Sequence, residues 1–304
     1  MRAIRFERFG PPAEVLHLTD VPAPEPGPGQ VRLRLTHRPI NPSDLLTVSG
    51  EYGALPRLPA TPGFEAVGCV EALGEGTRGI APGMRVVPLS AGGTWRESAV
   101  VDATMLVPVP DAVSDAAAAQ FVVNPVTAWV MLEEELKIQP GDWLVQTAAG
   151  STLGRLVIQI GRLGGYRTIN LVRRPEQVDE LLALGADAAF ATGDGDVVAR
   201  IKELTGGRGA AAALDAVGGE TGALALRALR PGGTLLVYGM LGSEPLPLHN
   251  GEMLFRGLTA RGFWLSHWFR KTPPAQVAAT LGSLMQLMAG GELAPPVEAE
   301  YDLA

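Results

Sequence analysis

The sequence predicts a two-domain α/β chain, an irregular mostly-β domain followed by a doubly wound parallel sheet, and three observations carry that prediction. Its 304 residues are twice the roughly 150 of an average domain. The first third is a series of short β-type runs separated by Pro/Gly clusters, and Gly and Pro together make about a fifth of the chain. From about Gly141 short apolar runs alternate instead with helical periodicity, the mark of crossover units and a parallel sheet. With 46% apolar and 19% charged residues, the composition suits a packed core rather than a disordered segment.

In the first region the spacing predicts strands over Gln30–Thr36, Ala66–Glu71 and Met84–Pro88, parted by clusters such as Pro22–Gln30 and Leu58–Gly63. In the second, Trp143–Ala148 reads as a strand. Leu153, Leu156, Val157, Ile160 and Leu163 then fall on one helical stripe. Arg167–Val172 is a second strand, and Pro175–Ala186 a helix with Pro175 suited to its first turn. Asp196–Leu204 reads as a helix, Gly209–Val217 as a buried strand, Glu220–Leu229 as a helix and Thr234–Gly239 as a strand after a Pro231-Gly232-Gly233 turn. The last stretch, from Arg261 through the helix-like Pro273–Gly291, breaks this rhythm and is expected to pack back on the first domain. The expected domains are therefore 1–122 with 262–304, and 123–261.

Charge and composition exclude several functions. A net charge of −7, with no basic run longer than a pair such as Arg173-Arg174, argues against a nucleic-acid partner, because phosphate neutralisation needs a basic surface. The uncharged run Ala116–Leu132 is short and polar for a membrane span and holds Pro125. The opening residues MRAIRFERFG carry no apolar signal region, so a cytoplasmic protein is expected. A single cysteine, Cys69, rules out an intramolecular disulfide and any metal site built on two or more thiolates, and reads as a small core residue. His17, His37, His249 and His267 are scattered, so no metal site is expected.

After the Trp143–Ala148 strand the chain runs Ala149-Gly150-Ser151-Thr152-Leu153-Gly154. The G-x-G-x-x-G dinucleotide fingerprint fails here, since Ala149 and Ser151 stand where glycines would. Small residues, a free helix N-terminus and Gly154 keep its mechanics, and taken alone the loop reads equally as a cofactor turn or as an ordinary strand-to-helix turn. The second strand weighs on this choice. An NAD site carries a carboxylate about 20 residues on for the ribose hydroxyl, whereas this strand ends Val172-Arg173-Arg174. Guanidinium groups there suit a 2′-phosphate and favour NADPH, the alternative being a solvated Arg pair at a helix start.

Several short motifs, in order, carry a family resemblance: Asn41-Pro42-Ser43-Asp44, Pro62-Gly63-Phe64-Glu65 with Gly68, Pro82-Gly83, Pro140-Gly141-Asp142, Leu184-Gly185-Ala186-Asp187 and Pro231-Gly232-Gly233. Over nearly its whole length the chain resembles the medium-chain dehydrogenase/reductase superfamily. Stretches 41–56, 93–100, 123–129, 159–174 and 261–268 are most similar to its zinc-free branch of 2-enoyl thioester reductases and quinone oxidoreductases. The resemblance implies a GroES-like catalytic domain, a Rossmann domain and a homodimer. The alcohol dehydrogenase branch binds catalytic zinc at the positions of Asn41, Phe64 and Asn124, and none of these supplies a thiolate or imidazole. Its structural zinc needs four cysteines.

The resemblance also implies site residues. Tyr52, in the family's G-x-Y-G-x-L-P context, is the expected catalytic donor; packing of its ring under a Gly/Pro loop is the other reading. Asn41, Asn124 and Thr127 would border the nicotinamide, and Gly150, Ser151, Thr152 and Leu153 would cradle the pyrophosphate. Arg173 and Arg174 would meet the 2′-phosphate, and Tyr238, Gly239, Met240 and Leu241 would line the adenosine side. Phe263, Trp264, Leu265 and Ser266 would present backbone to the carboxamide. Family members continue past Leu303 with a helix and a basic strand that brings a Lys to the cofactor, so weaker cofactor binding is expected for this chain. Without zinc, hydride addition to an activated C=C bond is the easier chemistry, since hydrogen-bond donors can stabilise an enolate. Reduction of an enoyl-CoA or enoyl-acyl-carrier substrate, reduction of a quinone, and non-catalytic NADPH binding are the three functions these residues allow.

Overall fold

The computed structural model describes residues 1–90 and 92–303. Its chain divides into two units, one of Met1–Val123, Leu281–Gly291 and the residues from Pro296 onward, the other of Asn124–Thr280 and Glu292–Pro295.

In the first unit, β1 (Arg2–Arg5) pairs antiparallel with β2 (His17–Asp20). A second antiparallel sheet contains β3 (Gln30–His37), β4 (Val67–Leu73), β5 (Arg85–Pro88), β6 (Ser98–Asp102) and β7 (Leu106–Pro108), in the order β6-β3-β4-β5-β7. The three expected strands are β3, β4 and β5, with ends shifted by no more than two residues. Period-2 alternation turns Val31, Leu33 and Leu35 of β3 inward against Val70, Val86, Ala99 and Val101. Burying each such side chain stabilises the fold by about 1.5–3 kcal/mol. Arg32, on the other face, pairs with Glu25 and Glu71.

The second unit is a six-stranded parallel sheet of β8 (Trp143–Gln146), β9 (Arg167–Val172), β10 (Ala188–Ala191), β11 (Ala210–Asp215), β12 (Leu229–Val237) and β13 (Thr259–Gly262). The order is β10-β9-β8-β11-β12-β13, so the winding reverses between β8 and β11. Crossover helices Thr152–Gly164, Gln177–Leu184, Val197–Leu204, Gly219–Arg227 and Asn250–Arg256 join successive strands. Val145, Ile169, Leu171, Ala213, Leu226 and Leu235 form the heart of its core.

Three details depart from the sequence expectation. The stripe on Thr152–Gly164 buries Leu153, Leu156, Val157 and Ile160, but Leu163 is exposed, because the helix ends one residue later at the left-handed Gly165. The Pro231-Gly232-Gly233 turn lies inside β12 as an irregularity, where the register jumps from Ala210↔Leu229 to Ala212↔Thr234. The alternation also does not stop at 261: β13 adds a sixth parallel strand, and residues 262–280 group with the second unit. Trp268 fixes that stretch, its indole N–H donating to Glu134 at 2.8 Å. β13 escaped notice because it is four residues long and none of them is fully buried.

Among the described residues no helix is long and apolar enough to cross a membrane. The uncharged run 116–132 lies in Asp115–Ala119, Asn124–Trp129 and a π-helical turn, Val130–Leu136.

Candidate active site

In a doubly wound sheet, ligands bind beyond the carboxyl ends of the strands where the winding reverses. In the second unit that edge lies at β8 and β11, and the loops after β8, β9 and β12 carry Gly150 to Leu153, Arg173 with Arg174, and Tyr238 to Met240. After β8, Ala148 adopts φ +49° and turns the chain into Ala149-Gly150-Ser151. Ser151 caps the helix Thr152–Gly164, its Oγ accepting from the Gly154 N–H at 3.1 Å. Gly154 lies close against the turn after β8: a Cβ there would stand 2.4 Å from the Ala149 carbonyl oxygen and 2.6 Å from its Cα. The last glycine of the fingerprint serves close packing at the helix start, and Gly154 keeps the main-chain approach that a side chain would block.

Next along the edge, Arg173 and Arg174 follow β9 directly, both exposed. On the other side of the reversal, Asp215 ends β11. Its Oδ1 accepts from the Thr147 hydroxyl at 2.8 Å and from the Val217 N–H at 3.0 Å, and its Oδ2 accepts from the Gly218 N–H at 3.0 Å. After β12 come Tyr238, Gly239, Met240 and Leu241. Leu241 donates its N–H to the Ala216 carbonyl at 2.8 Å, lacing the two loops together. The Tyr238 hydroxyl is buried without a hydrogen-bond partner among the described residues, and burial, with the Asp215 charge second, pushes its pKa up. An orphaned hydroxyl, a small-residue turn and a free helix N-terminus on one edge fit a dinucleotide.

Beyond β12, Phe263 extends β13 by donating its N–H to the Val237 carbonyl at 2.8 Å, and Trp264 precedes the helix Leu265–Lys271. The Trp264 ring stands 4.9 Å from that of His267 and 5.5 Å from the Arg270 guanidinium carbon. Asn124 begins the helix Asn124–Trp129, on which Thr127 is buried.

The first unit builds its site from side chains. Asn41 precedes the helix Pro42–Ser49, and its N–H donates to the Asp44 carboxylate at 2.7 Å. The helix stops at Gly50 with φ +84°, where a Cβ would press within 3.0 Å of Phe9. From that turn the chain reaches Tyr52, half-buried, with its ring 5.2 Å from Phe64. Behind Asn41 lies Glu65, buried, whose Oε1 accepts from Asn41 Nδ2 at 2.9 Å and whose Oε2 accepts from the Val123 N–H at 2.8 Å. Burial pushes the Glu65 pKa up to about 8 and that of Asp44 up to about 7, against hydrogen bonds that pull both down.

Asn41, Tyr52 and Phe64 thus belong to the first unit, and the remaining candidates, Asn124 among them, to the second. No group of three or more His, Cys, Asp or Glu that could hold a metal ion occurs among the described residues. Cys69 lies half-buried on β4. Sequence reasoning passed over Asp44 and Glu65 as chemical groups, though both stand inside the motifs quoted, and it passed over Thr147 and Asp215. A carboxylate inside an apolar motif is the signal that marked all three acids.

An antiparallel unit joined to a doubly wound unit with this carboxyl edge defines a two-domain oxidoreductase. The sequence matches the alcohol dehydrogenase GroES-like domain over residues 27–111 and the zinc-binding dehydrogenase domain over 152–281. It is 36% identical to the mitochondrial enoyl-[acyl-carrier-protein] reductase of Bos taurus, over 100% of this chain and 83% of that protein. The mitochondrial 2-enoyl thioester reductase heterodimer of Candida tropicalis superposes with a TM-score of 0.89 at 26% identity, covering 99% of this chain and 92% of that one. The quinone oxidoreductase of Escherichia coli, solved with NADPH, gives 0.88 at 26%, covering 98% and 91%. The chain belongs to the medium-chain dehydrogenase/reductase superfamily, in its enoyl-reductase and quinone-reductase branch.

Proposed function

We propose that this chain is an NADPH-dependent reductase of an activated C=C bond, acting on a trans-2-enoyl thioester of CoA or of acyl carrier protein. The observation that carries the reading is the pairing of Tyr52 with Phe64 in the loop that opens from the Asn41-preceded helix. A proton donor stands there, and the zinc-ligand positions Asn41 and Phe64 offer no thiolate or imidazole. The names of the mitochondrial relatives support the substrate class.

When bound, NADPH supplies the hydride that reaches the β-carbon. The chain's own residues do the rest. Arg173 and Arg174 hold the 2′-phosphate, and the backbone from Gly150 to Leu153, with the helix N-terminus behind it, holds the pyrophosphate. Tyr238, Gly239 and Met240 line the adenosine side, and the backbone of Phe263, Trp264 and Leu265 receives the carboxamide. Asn41, Asn124 and Thr127 border the nicotinamide. Glu65 fixes the Asn41 amide through Nδ2, so Asn41 meets the cofactor in one orientation. The Tyr52 hydroxyl can hydrogen-bond the thioester oxygen as charge spreads into an enolate and then pass its proton to the α-carbon. No zinc is required in this scheme.

NADPH oxidation measured in parallel with crotonyl-CoA, a longer enoyl-CoA and a naphthoquinone tests the reading, and turnover is expected on the thioesters. Turnover on the quinone alone would replace it with quinone reduction, which likeness to the Escherichia coli structure favours and which needs no protein proton donor. The homodimer belongs to this proposal. Leu254 and Phe255, 74% and 85% exposed beside the edge strand β13, supply an apolar face for a second copy, and light scattering is expected to give twice the chain mass. A cytoplasmic location is checked by fractionation, since the relatives named above are mitochondrial.

A further inference from the structure

The first unit contains a cleft of about 800 Å³, walled by β1, by the stretch from Ala54 to Phe64 and by Leu89, Ser90 and Arg96. That volume lies within the roughly 300–1,000 Å³ of small-molecule sites. Its charge is one-sided. Arg5, Arg57 and Arg96 line it, and none of its lining residues is acidic, in a chain of net charge −7. Arg57 is exposed, while Arg5 and Arg96 are half-buried. Arg96 donates from Nη2 to the Gly92 carbonyl at 3.3 Å, and burial lowers its pKa. Five prolines stiffen the walls, so little ordering is left to be done on binding.

The cleft also adjoins the group assigned to proton transfer. Phe64 is part of its wall and is the ring against which Tyr52 packs at 5.2 Å. We propose that this cleft takes the phosphates of a CoA thioester whose acyl end reaches Tyr52, an assignment that rests on the enoyl-thioester reading above. Guanidinium forks match phosphate oxygens two by two. The diphosphate and 3′-phosphate of CoA give three arginines three phosphoryl partners, whereas the prosthetic group of a carrier protein brings one phosphodiester. Charge matching therefore selects CoA.

Two measurements test the assignment on the full chain. CoA is titrated calorimetrically into NADP-saturated protein, and kcat/KM is compared for crotonyl-CoA and crotonyl-pantetheine. The variants are Arg57→Glu, at an exposed position, and Arg5→Gln, each required to melt within a few degrees of the parent. Each is expected to raise the Kd for CoA by about tenfold or more, as loss of a charged hydrogen bond does, and to lower the CoA-to-pantetheine kcat/KM ratio about as far. Equal CoA affinity in the parent and both variants, or no CoA binding by the parent, overturns the assignment even if crotonyl-CoA is reduced. A loss confined to crotonyl-acyl-carrier protein, with CoA affinity unchanged, overturns CoA as the occupant in favour of the carrier's phosphopantetheine. Arginine-dependent CoA binding without turnover of any enoyl thioester upholds the cleft and overturns the proposed function.

Discussion

The two units build their functional edges from different parts of the chain. In the second, backbone leads: a turn at Ala148, a capped helix, a close approach at Gly154 and loops laced by main-chain hydrogen bonds line the carboxyl ends of parallel strands. In the first, side chains lead: Tyr52, Phe64, Asn41 and two buried carboxylates stand on and around one short helix and its exit turn. Backbone geometry serves a cofactor whose phosphates are alike wherever it binds, whereas side chains decide which substrate reacts. Substitutions in the first unit should therefore change chemistry or substrate affinity, and those in the second cofactor affinity.

Tyr52→Phe is the strongest test of that contrast. Removing the hydroxyl is expected to lower kcat on crotonyl-CoA by about 10²–10⁴-fold, the usual worth of a general acid, while the ring contact with Phe64 and the Kd for NADPH stay as they are. Stopped-flow turnover and fluorescence titration separate the two readouts. Unchanged turnover would remove Tyr52 from the chemistry and leave the quinone reading standing.

Replacing Arg173 and Arg174 together by Ala probes the opposite unit. The expected loss is about 10–100-fold in the NADPH-over-NADH preference in kcat/KM, with NADH turnover little changed. A preference that survives would mean the pair is merely solvated, the alternative its sequence position left open.

How far sequence reading carried differs in the same way between the units. Alternation of apolar runs and helical stripes located β8, β9, β11 and β12 and the first four crossover helices, since each crossover repeats one physical pattern. It lost β10 and β13, each only four residues long, and misplaced the Pro231-Gly232-Gly233 turn, because propensity could not show that β12 resumes on both sides of it. In the first unit the turn clusters located β3, β4 and β5. The Asn41–Glu65 contact was beyond reach, because 24 residues separate the partners and nothing local announces that the carboxylate is buried. The arginine cleft was equally hidden, its three cations being scattered between residues 5 and 96 on separate segments.

Gly154→Ala tests whether backbone approach carries the second site. The new Cβ would stand 2.4 Å from a main-chain oxygen of the preceding turn that cannot swing aside, so the helix start must move off that turn. A loss of about 1–3 kcal/mol in unfolding free energy is expected, as overpacking produces, together with weaker NADPH binding. Denaturant melts and the NADPH titration would both have to stay at parent values for the close approach to be incidental.

The smallest expected effect concerns the buried carboxylates. Glu65 titrates near 8 in the folded chain and at its ordinary carboxylate value when unfolded, because burial penalises its charge. Between those values the folded state holds a proton that the unfolded state has released. Stability therefore falls as pH rises through that window, by about 1.4 kcal/mol per pH unit for one proton. Asp44, raised to about 7, adds to the same slope up to that pH. Glu65→Gln removes one titrating group, so urea melts between pH 5 and 8 should lose about one proton's worth of slope. The variant should also be less stable than the parent at pH 5, since an amide cannot accept from both Asn41 Nδ2 and the Val123 N–H. A parent whose stability is flat over this range would place the folded-state pKa of Glu65 back at the ordinary carboxylate value and make it a permanently charged anchor for Asn41.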